Sequence, residues 1–202
     1  VMRQIIGITM GDPAGIGAEV TVKALNDKRV YEKCVPIVIG DYEALKDAIH
    51  FCNLSLKLRE VKHTEEAVGE YGIVEYINLG YLKANSWEYK KASALCGDAA
   101  FNYVVYGIDL ALRKKITAVI TAPINKEALN LAGHHYSGHT EIFAEYTGTN
   151  NYAMLLASAN LRVIHVSTHC SLREACERVK KERILDVIKL ANEGMKLLGY
   201  TS

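Results

Sequence analysis

The chain has 202 residues, of which 50% are apolar and 23% are charged, a composition typical of a globular protein. Its 24 Lys and Arg side chains nearly balance 23 Asp and Glu, which argues against a protein held mainly by nucleic acid or by an anionic membrane. No apolar run approaches the roughly 20 residues of a membrane-spanning helix, and the N-terminus shows no signal-peptide pattern. The five scattered cysteines favour free thiols and a cytoplasmic location.

The first half of the chain alternates short apolar runs, typical of buried strands, with stretches of helical periodicity. In chain order we predict a strand at 5–10, a helix at 18–25, a strand at 35–39, a helix at 40–50, weaker strands at 56–61 and 73–77, and a longer helix at 92–114. Between the first strand and the first helix lies a glycine-rich turn, Gly11–Gly17.

The second half continues the alternation. We predict a strand at 116–121, a helix at 126–132 that ends at Gly133, strands at 152–157 and 161–166, a helix that begins at the capping-box pattern Ser171-Leu172-Arg173-Glu174, and a last helix at 183–198. Strands that alternate with helices predict an α/β fold with a largely parallel sheet.

Chemistry in such sheets collects in the loops beyond the carboxyl ends of the strands. Three loops are candidates on this ground: Gly11–Gly17, Ala122–Lys126 and Ser167–Ser171. We expect the histidine-rich loop Gly133–Thr140 to join them.

The glycine-rich turn could bind an anion through free backbone N–H groups before a helix. However, Val20 stands where a dinucleotide fingerprint needs its third glycine, and no phosphate-loop Gly-Lys follows. A tight strand-to-helix turn is therefore the favoured interpretation of this segment taken alone. Asp12 could cap the first helix or contact a ligand, and Asn125-Lys126 could equally be a binding cluster or a solvated helix start.

Five of the seven histidines lie between positions 134 and 169. His139 and Thr140 stand side by side at a predicted helix start, a combination that suits a phosphorylated or carboxylated small molecule. The alternative is that Thr140 is the N-cap and His139 is exposed. His165 is expected in the core of a strand, whereas His169 follows a strand end, where a metal ligand would lie.

Four motifs, in this order and spacing, resemble the 4-hydroxythreonine-4-phosphate dehydrogenase family of pyridoxal phosphate biosynthesis. The resemblance covers the chain from about residue 4 to its end. The motifs are Gly7-Ile8-Thr9-Met10-Gly11-Asp12-Pro13-Ala14-Gly15-Ile16-Gly17, Thr121-Ala122-Pro123-Ile124-Asn125-Lys126, Gly138-His139-Thr140-Glu141 and Ser167-Thr168-His169.

The resemblance implies a homodimeric dehydrogenase that uses NAD or NADP and a divalent metal (zinc, magnesium or cobalt). It implies the two-domain fold of isocitrate and isopropylmalate dehydrogenases, with a first domain at 1–125, part of a second at 126–202, and a cleft between them that borrows groups from the partner subunit. By motif match, His139 and Thr140 bind substrate and His169 binds the metal. The family oxidises the secondary alcohol of 4-phosphohydroxy-L-threonine, and decarboxylation then gives 3-amino-2-oxopropyl phosphate.

Three alternatives stay open. The sequence around Asp12 and Asn125 is more similar to a branch of the family that acts on a four-carbon sugar-acid phosphate, D-threonate or D-erythronate 4-phosphate. A phosphate acyltransferase shares the cleft architecture and needs no metal. Finally, family members continue past Ser202, so the chain reads as an N-terminal portion without the other metal-binding histidines, and it could be inactive by itself.

Overall fold

The computed structural model describes residues 3–200, which divide into two compact units between Thr147 and Gly148. The strands described in the first unit are β1 (Gln4–Thr9), β2 (Cys34–Gly40), β3 (Lys57–Glu60), β4 (Ile73–Asn78) and β5 (Ala118–Thr121). Its helices are α1 (Gly17–Leu25), α2 (Lys28–Lys33), α3 (Tyr42–Phe51), α4 (Ala94–Leu112), α5 (Lys126–Leu131) and α6 (His139–Tyr146), with a 3₁₀ turn at Thr64–Glu66.

The strands of the first unit form a parallel sheet in the order β3-β4-β2-β1-β5, which confirms the predicted α/β fold. Its central strand β2 is buried on both faces: Ile37, Val38 and Ile39 are each 0% exposed. Helices on both faces of a parallel sheet explain why its strands are nearly continuous apolar runs. The weaker strands predicted at 56–61 and 73–77 are confirmed as β3 and β4.

The long helix α4 packs against the sheet, and α5 and α6 pack against α4. Tyr103 of α4 is fully buried and donates its hydroxyl proton to Asp41 Oδ2 at 2.5 Å, at the carboxyl end of β2. A second apolar cluster holds the three helices together through Phe101 and Val104 of α4, Leu129 of α5 and Ile142 of α6. Residues 126–146 therefore pack as part of the first unit.

The second unit contains β6 (Leu155–Ala157), β7 (Arg162–Ile164), α7 (Leu172–Arg178) and α8 (Lys181–Leu197). Here β6 and β7 form an antiparallel hairpin, so the Ser167–Ser171 loop does not lie at the carboxyl edge of a parallel sheet, and that prediction is wrong. The capping box at Ser171 is confirmed, with Ser171 N–H and Oγ–H both donating to Glu174 Oε2 at 2.9 Å.

The two compact units divide between Thr147 and Gly148. The boundary expected at 125/126 refers to the domains of a two-domain fold, and it stays a prediction. Within residues 3–200, no helix combines the length and apolarity that a membrane crossing requires. All five cysteines are free thiols, as predicted.

Candidate functional site

Two of the predicted loops meet at the carboxyl edge of the parallel sheet. β1 is followed in sequence by β2 on one side, whereas β5 lies on its other side, so the order of strands reverses at β1. The Asp12 N–H donates to Pro123 O at 2.9 Å, which joins the glycine-rich turn to the loop after β5. A crevice at such a reversal is where α/β sheets bind ligands.

Gly11 permits this contact. Its φ is +75°, and a Cβ added there would lie 2.3 Å from Pro123 O. Any other residue would strain the backbone and collide with the second loop. Glycine is therefore needed at this position for the junction of the two loops.

Asp12 stabilises the turn itself. Its side chain is buried, and Oδ1 accepts a hydrogen bond from the Ala14 N–H at 2.9 Å, while α1 begins at Gly17 without a side-chain cap. The interpretation of Asp12 as a helix cap is thus wrong. Burial raises the pKa of the Asp12 carboxyl, and the hydrogen bond from Ala14 opposes part of that shift.

Asn125 and Lys126 begin α5. Asn125 is the N-cap, and its Oδ1 accepts from the Ala128 N–H at 3.1 Å, so this side chain has a structural role. The Lys126 side chain is exposed. α5 lies so close to α4 that a Cβ added at Gly97 would be 1.9 Å from Ala128 O.

The histidine-rich loop is anchored by polar and aromatic contacts. His134 Nε2 lies 2.8 Å from Asp98 Oδ1, and its ring stacks on Phe101 with centroids 3.7 Å apart. Gly133 ends α5 with a φ of +84°, which confirms the predicted left-handed cap. The loop thus reaches α6 along a fixed path.

His139 and Thr140 are the first two residues of α6, and both are half-buried. The N-cap is Gly138, so the alternative with Thr140 as N-cap and His139 exposed is wrong. The Nε2 atom of His139 is buried without a hydrogen-bond partner, and burial lowers the pKa of this imidazole. His139 is therefore neutral near pH 7.

An open cleft of about 280 Å³ connects the start of α5 with the start of α6. It is lined by Pro123, Ile124, Lys126, Leu129, Ser137, Gly138 and His139. Glu141, in the first turn of α6, has a buried Oε2 atom without a partner. Glu141 belongs to the same motif as His139, but no role for it was predicted from the sequence.

His169 lies in the second unit, on the loop between β7 and α7. It is exposed and has a φ of +50°, an uncommon conformation in which histidine is enriched. His165 follows β7 directly and is half-buried, so the prediction of a core strand histidine is wrong. Among residues 3–200, no group of three or more His, Cys, Asp or Glu side chains could hold a metal ion.

A parallel α/β unit whose loops meet at a strand-order reversal defines a class of small-molecule-binding proteins. Residues 32–202 match the model of the family described as pyridoxal phosphate biosynthetic protein PdxA, and the chain belongs to this family. The relationship predicted from the four motifs is thereby confirmed.

Named relatives cover nearly all of the chain. A protein of Oceanobacillus iheyensis named "Putative D-threonate 4-phosphate dehydrogenase" is 43% identical over 198 residues, which are 98% of this chain and 59% of that protein. A Clostridium botulinum protein of the same name is 39% identical over 197 residues, with the same two coverages. The crystal structure of 4-hydroxythreonine-4-phosphate dehydrogenase from Klebsiella pneumoniae matches 99% of this chain and 60% of that one, with a TM-score of 0.91 and 36% identity. The chain thus spans about three fifths of the length of these relatives.

Proposed function

We propose that the protein that carries this chain is a dehydrogenase of a phosphorylated four-carbon hydroxy acid, with D-threonate 4-phosphate as the first candidate substrate. The family and the names of its relatives support this class of reaction. The observation that carries the proposal is His139, which lines an open cleft and whose buried Nε2 atom has no hydrogen-bond partner. Buried polar atoms normally have a partner, so this atom is suited to a ligand.

His139 and Thr140 would bind and orient the substrate. The neutral imidazole can donate or accept a hydrogen bond at Nε2, depending on its tautomer. Gly138 offers no side chain to accept from the N–H groups of the first turn of α6, so these donors can also serve an anionic oxygen. Fixing the substrate in this way contributes orientation rather than proton transfer.

The oxidant would be NAD or NADP, which accepts hydride from the carbinol carbon as the alcohol becomes a ketone. The failed dinucleotide fingerprint agrees with the two-domain fold of isocitrate and isopropylmalate dehydrogenases, which we propose for the entire protein. We further propose that the substrate binds in the cleft between the two domains and that the protein is a homodimer with a shared active site. The cytoplasmic location also stays a prediction.

The residues described here do not form a divalent-metal site by themselves, because a protein site for zinc generally needs three or four ligands. His169 is proposed as one ligand of zinc, magnesium or cobalt, with the remaining ligands supplied from outside residues 3–200. Its exposed place on a loop leaves the imidazole accessible to such a shared site.

The second candidate substrate is 4-phosphohydroxy-L-threonine, which the sequence analysis placed first. It is favoured by the name and the 0.91 TM-score of the Klebsiella pneumoniae structure. The two substrates differ by a hydroxyl against an amine at one carbon, and oxidation of the alcohol β to the carboxylate would in either case give a β-keto acid that loses CO₂.

The test is NAD reduction with both phosphates, side by side, by a chimera in which this chain replaces the matching 198 residues of the Oceanobacillus iheyensis relative. We expect faster turnover with D-threonate 4-phosphate, and loss of metal-dependent turnover in His169→Ala without a change in thermal unfolding. Unchanged activity and metal content in that variant would remove His169 from the mechanism. A folded chimera that transfers acyl groups to coenzyme A and reduces no NAD would contradict the proposal.

A further inference from the structure

Lys126 lines the same cleft as His139 but has no assigned role. It is the first residue of α5, and its side chain is exposed. Ion pairs occupy several other lysines of the first unit, for example Lys23 with Glu19 and Lys115 with Glu65, both at 2.5 Å. Within residues 3–200, no carboxylate pairs with Lys126.

The backbone that carries Lys126 is held firmly in place. The preceding residue, Asn125, caps α5 through the Ala128 N–H at 3.1 Å, and α5 is packed against α4 at Gly97. The ammonium group is therefore on a flexible stem whose root is fixed beside the cleft.

The composition of the cleft wall favours an anion. Its described lining residues carry one ammonium (Lys126), one imidazole (His139), one hydroxyl (Ser137) and no carboxylate; a buried carboxylate oxygen, Glu141 Oε2, lies 3.8 Å from the position of a Cβ added at Gly138. The imidazole has an unpartnered Nε2 atom. A negatively charged oxygen bound in the cleft would pair with the ammonium and, where it reaches the imidazole, accept a hydrogen bond from it.

We propose that Lys126 is a substrate-binding residue that holds a carboxylate or phosphate oxygen of the ligand whose polar end His139 contacts. This assignment rests on the proposed function, since it takes the same substrate and the same cleft. It explains why Asn125 and Lys126 follow one another: the first fixes the helix start and the second supplies charge to the cleft.

The test uses the 202-residue chain and nuclear magnetic resonance titrations that follow the imidazole signals of His139, assigned with His139→Gln. The probes are D-threonate 4-phosphate, D-threonate, which has a carboxylate alone, and inorganic phosphate. The variant is Lys126→Gln. Its matched control is Lys28→Gln, because Lys28 is likewise an exposed first residue of a six-residue helix with a side-chain cap, Asp27.

We expect Lys126→Gln to weaken binding of D-threonate 4-phosphate by about tenfold, and Lys28→Gln to bind like the wild type. Added salt should weaken binding to the wild type more than to Lys126→Gln. A parallel loss for D-threonate assigns the lysine to the carboxylate, whereas a loss confined to the phosphate-bearing probes assigns it to the phosphate.

Equal affinity of Lys126→Gln and the wild type for every probe would overturn the assignment. If His139→Gln, followed through the backbone amide signal of Gly138 in the same cleft, abolished binding in that case, the proposed substrate site would survive and the role of Lys126 alone would be lost. A wild-type chain that binds none of the probes would also overturn the assignment, while the dehydrogenase proposal would still be decided by NAD reduction in the chimera.

Discussion

The close contact between α4 and α5 gives a sharp test of the packing that positions the cleft. In Gly97→Ala, the new Cβ would lie 1.9 Å from Ala128 O and 2.3 Å from Ala128 C. Ordinary van der Waals contact begins at 3.4 Å, so the two backbones would have to separate by about 3.4 − 1.9 = 1.5 Å. Both obstructing atoms belong to the backbone, and no side chain can rotate away.

The cost follows from two opposing effects. Overpacking a core contact typically costs about 1–3 kcal/mol, and the upper end applies here because the obstruction is backbone. Alanine returns about 1 kcal/mol through its better helix propensity. We therefore expect the free energy of unfolding to fall by about 2 kcal/mol, which lowers the melting temperature by about 4–8 °C, measured by calorimetry.

The matched control is Gly194→Ala in α8, where nothing lies within 4 Å of the added Cβ. This change should raise the free energy of unfolding by up to about 1 kcal/mol, because the propensity gain is unopposed. A Gly97→Ala protein as stable as the wild type would refute the packing argument. Equal destabilisation by the two substitutions would refute it as well.

Two further predictions concern buried ionisable groups. Glu75 is 1% exposed, pairs with Arg59 and accepts from the N–H groups of Val68 at 3.0 Å and Gly69 at 2.7 Å. Glu75→Ala should therefore lower the free energy of urea unfolding by about 3 kcal/mol. The control is Glu88→Ala, at an exposed glutamate, which should change that free energy little. Burial lowers the pKa of His139 in the folded chain below 6.5, so below that pH the unfolded chain binds a proton that the folded chain does not. The free energy of unfolding should then fall as the pH drops, and it should fall less steeply in His139→Gln than in the wild type between about pH 7.5 and pH 5.5. Identical pH profiles of the two proteins would contradict this.

The parallel sheet could be predicted from sequence because its strands are buried on both faces. Runs such as 35–39 are apolar throughout, and a single-faced strand would alternate instead. The helix caps at Gly133 and Ser171 were also predictable, because left-handed glycines and capping boxes depend on residues next to one another in the sequence.

The predictions failed at two elements, the β6–β7 hairpin and helix α2. In the first, the length of the connection between the strands was not considered, and in the second the helical pattern was too short. Only four residues, 158–161, separate β6 from β7, whereas a parallel crossover needs a dozen or more, so the antiparallel hairpin was available from the sequence. α2 has six residues and few apolar positions, so periodicity could not predict it, and its one signal was Asp27, which accepts from the Arg29 N–H at 2.9 Å.

The candidate site was predictable in part. The motif placed His139 and Thr140 at a helix start, which the structure confirms, but their binding roles stay proposals. Contacts between distant segments gave no sequence signal: Asp98 and His134 are 36 positions apart, and nothing in either segment indicates the other. The buried Oε2 atom of Glu141 likewise depends on how α6 packs.

The anchoring of the histidine-rich loop bears on the energetics of recognition. Asp98 accepts from Asn102 Nδ2 at 3.1 Å while it pairs with His134, so the support for the loop is itself rigidly held by its own helix. A wall preorganised in this way need not be ordered when a small molecule arrives, and little conformational entropy is lost at that moment. If a small molecule binds on this side of the crevice, we expect its affinity to depend on complementarity of charge and shape rather than on induced fit.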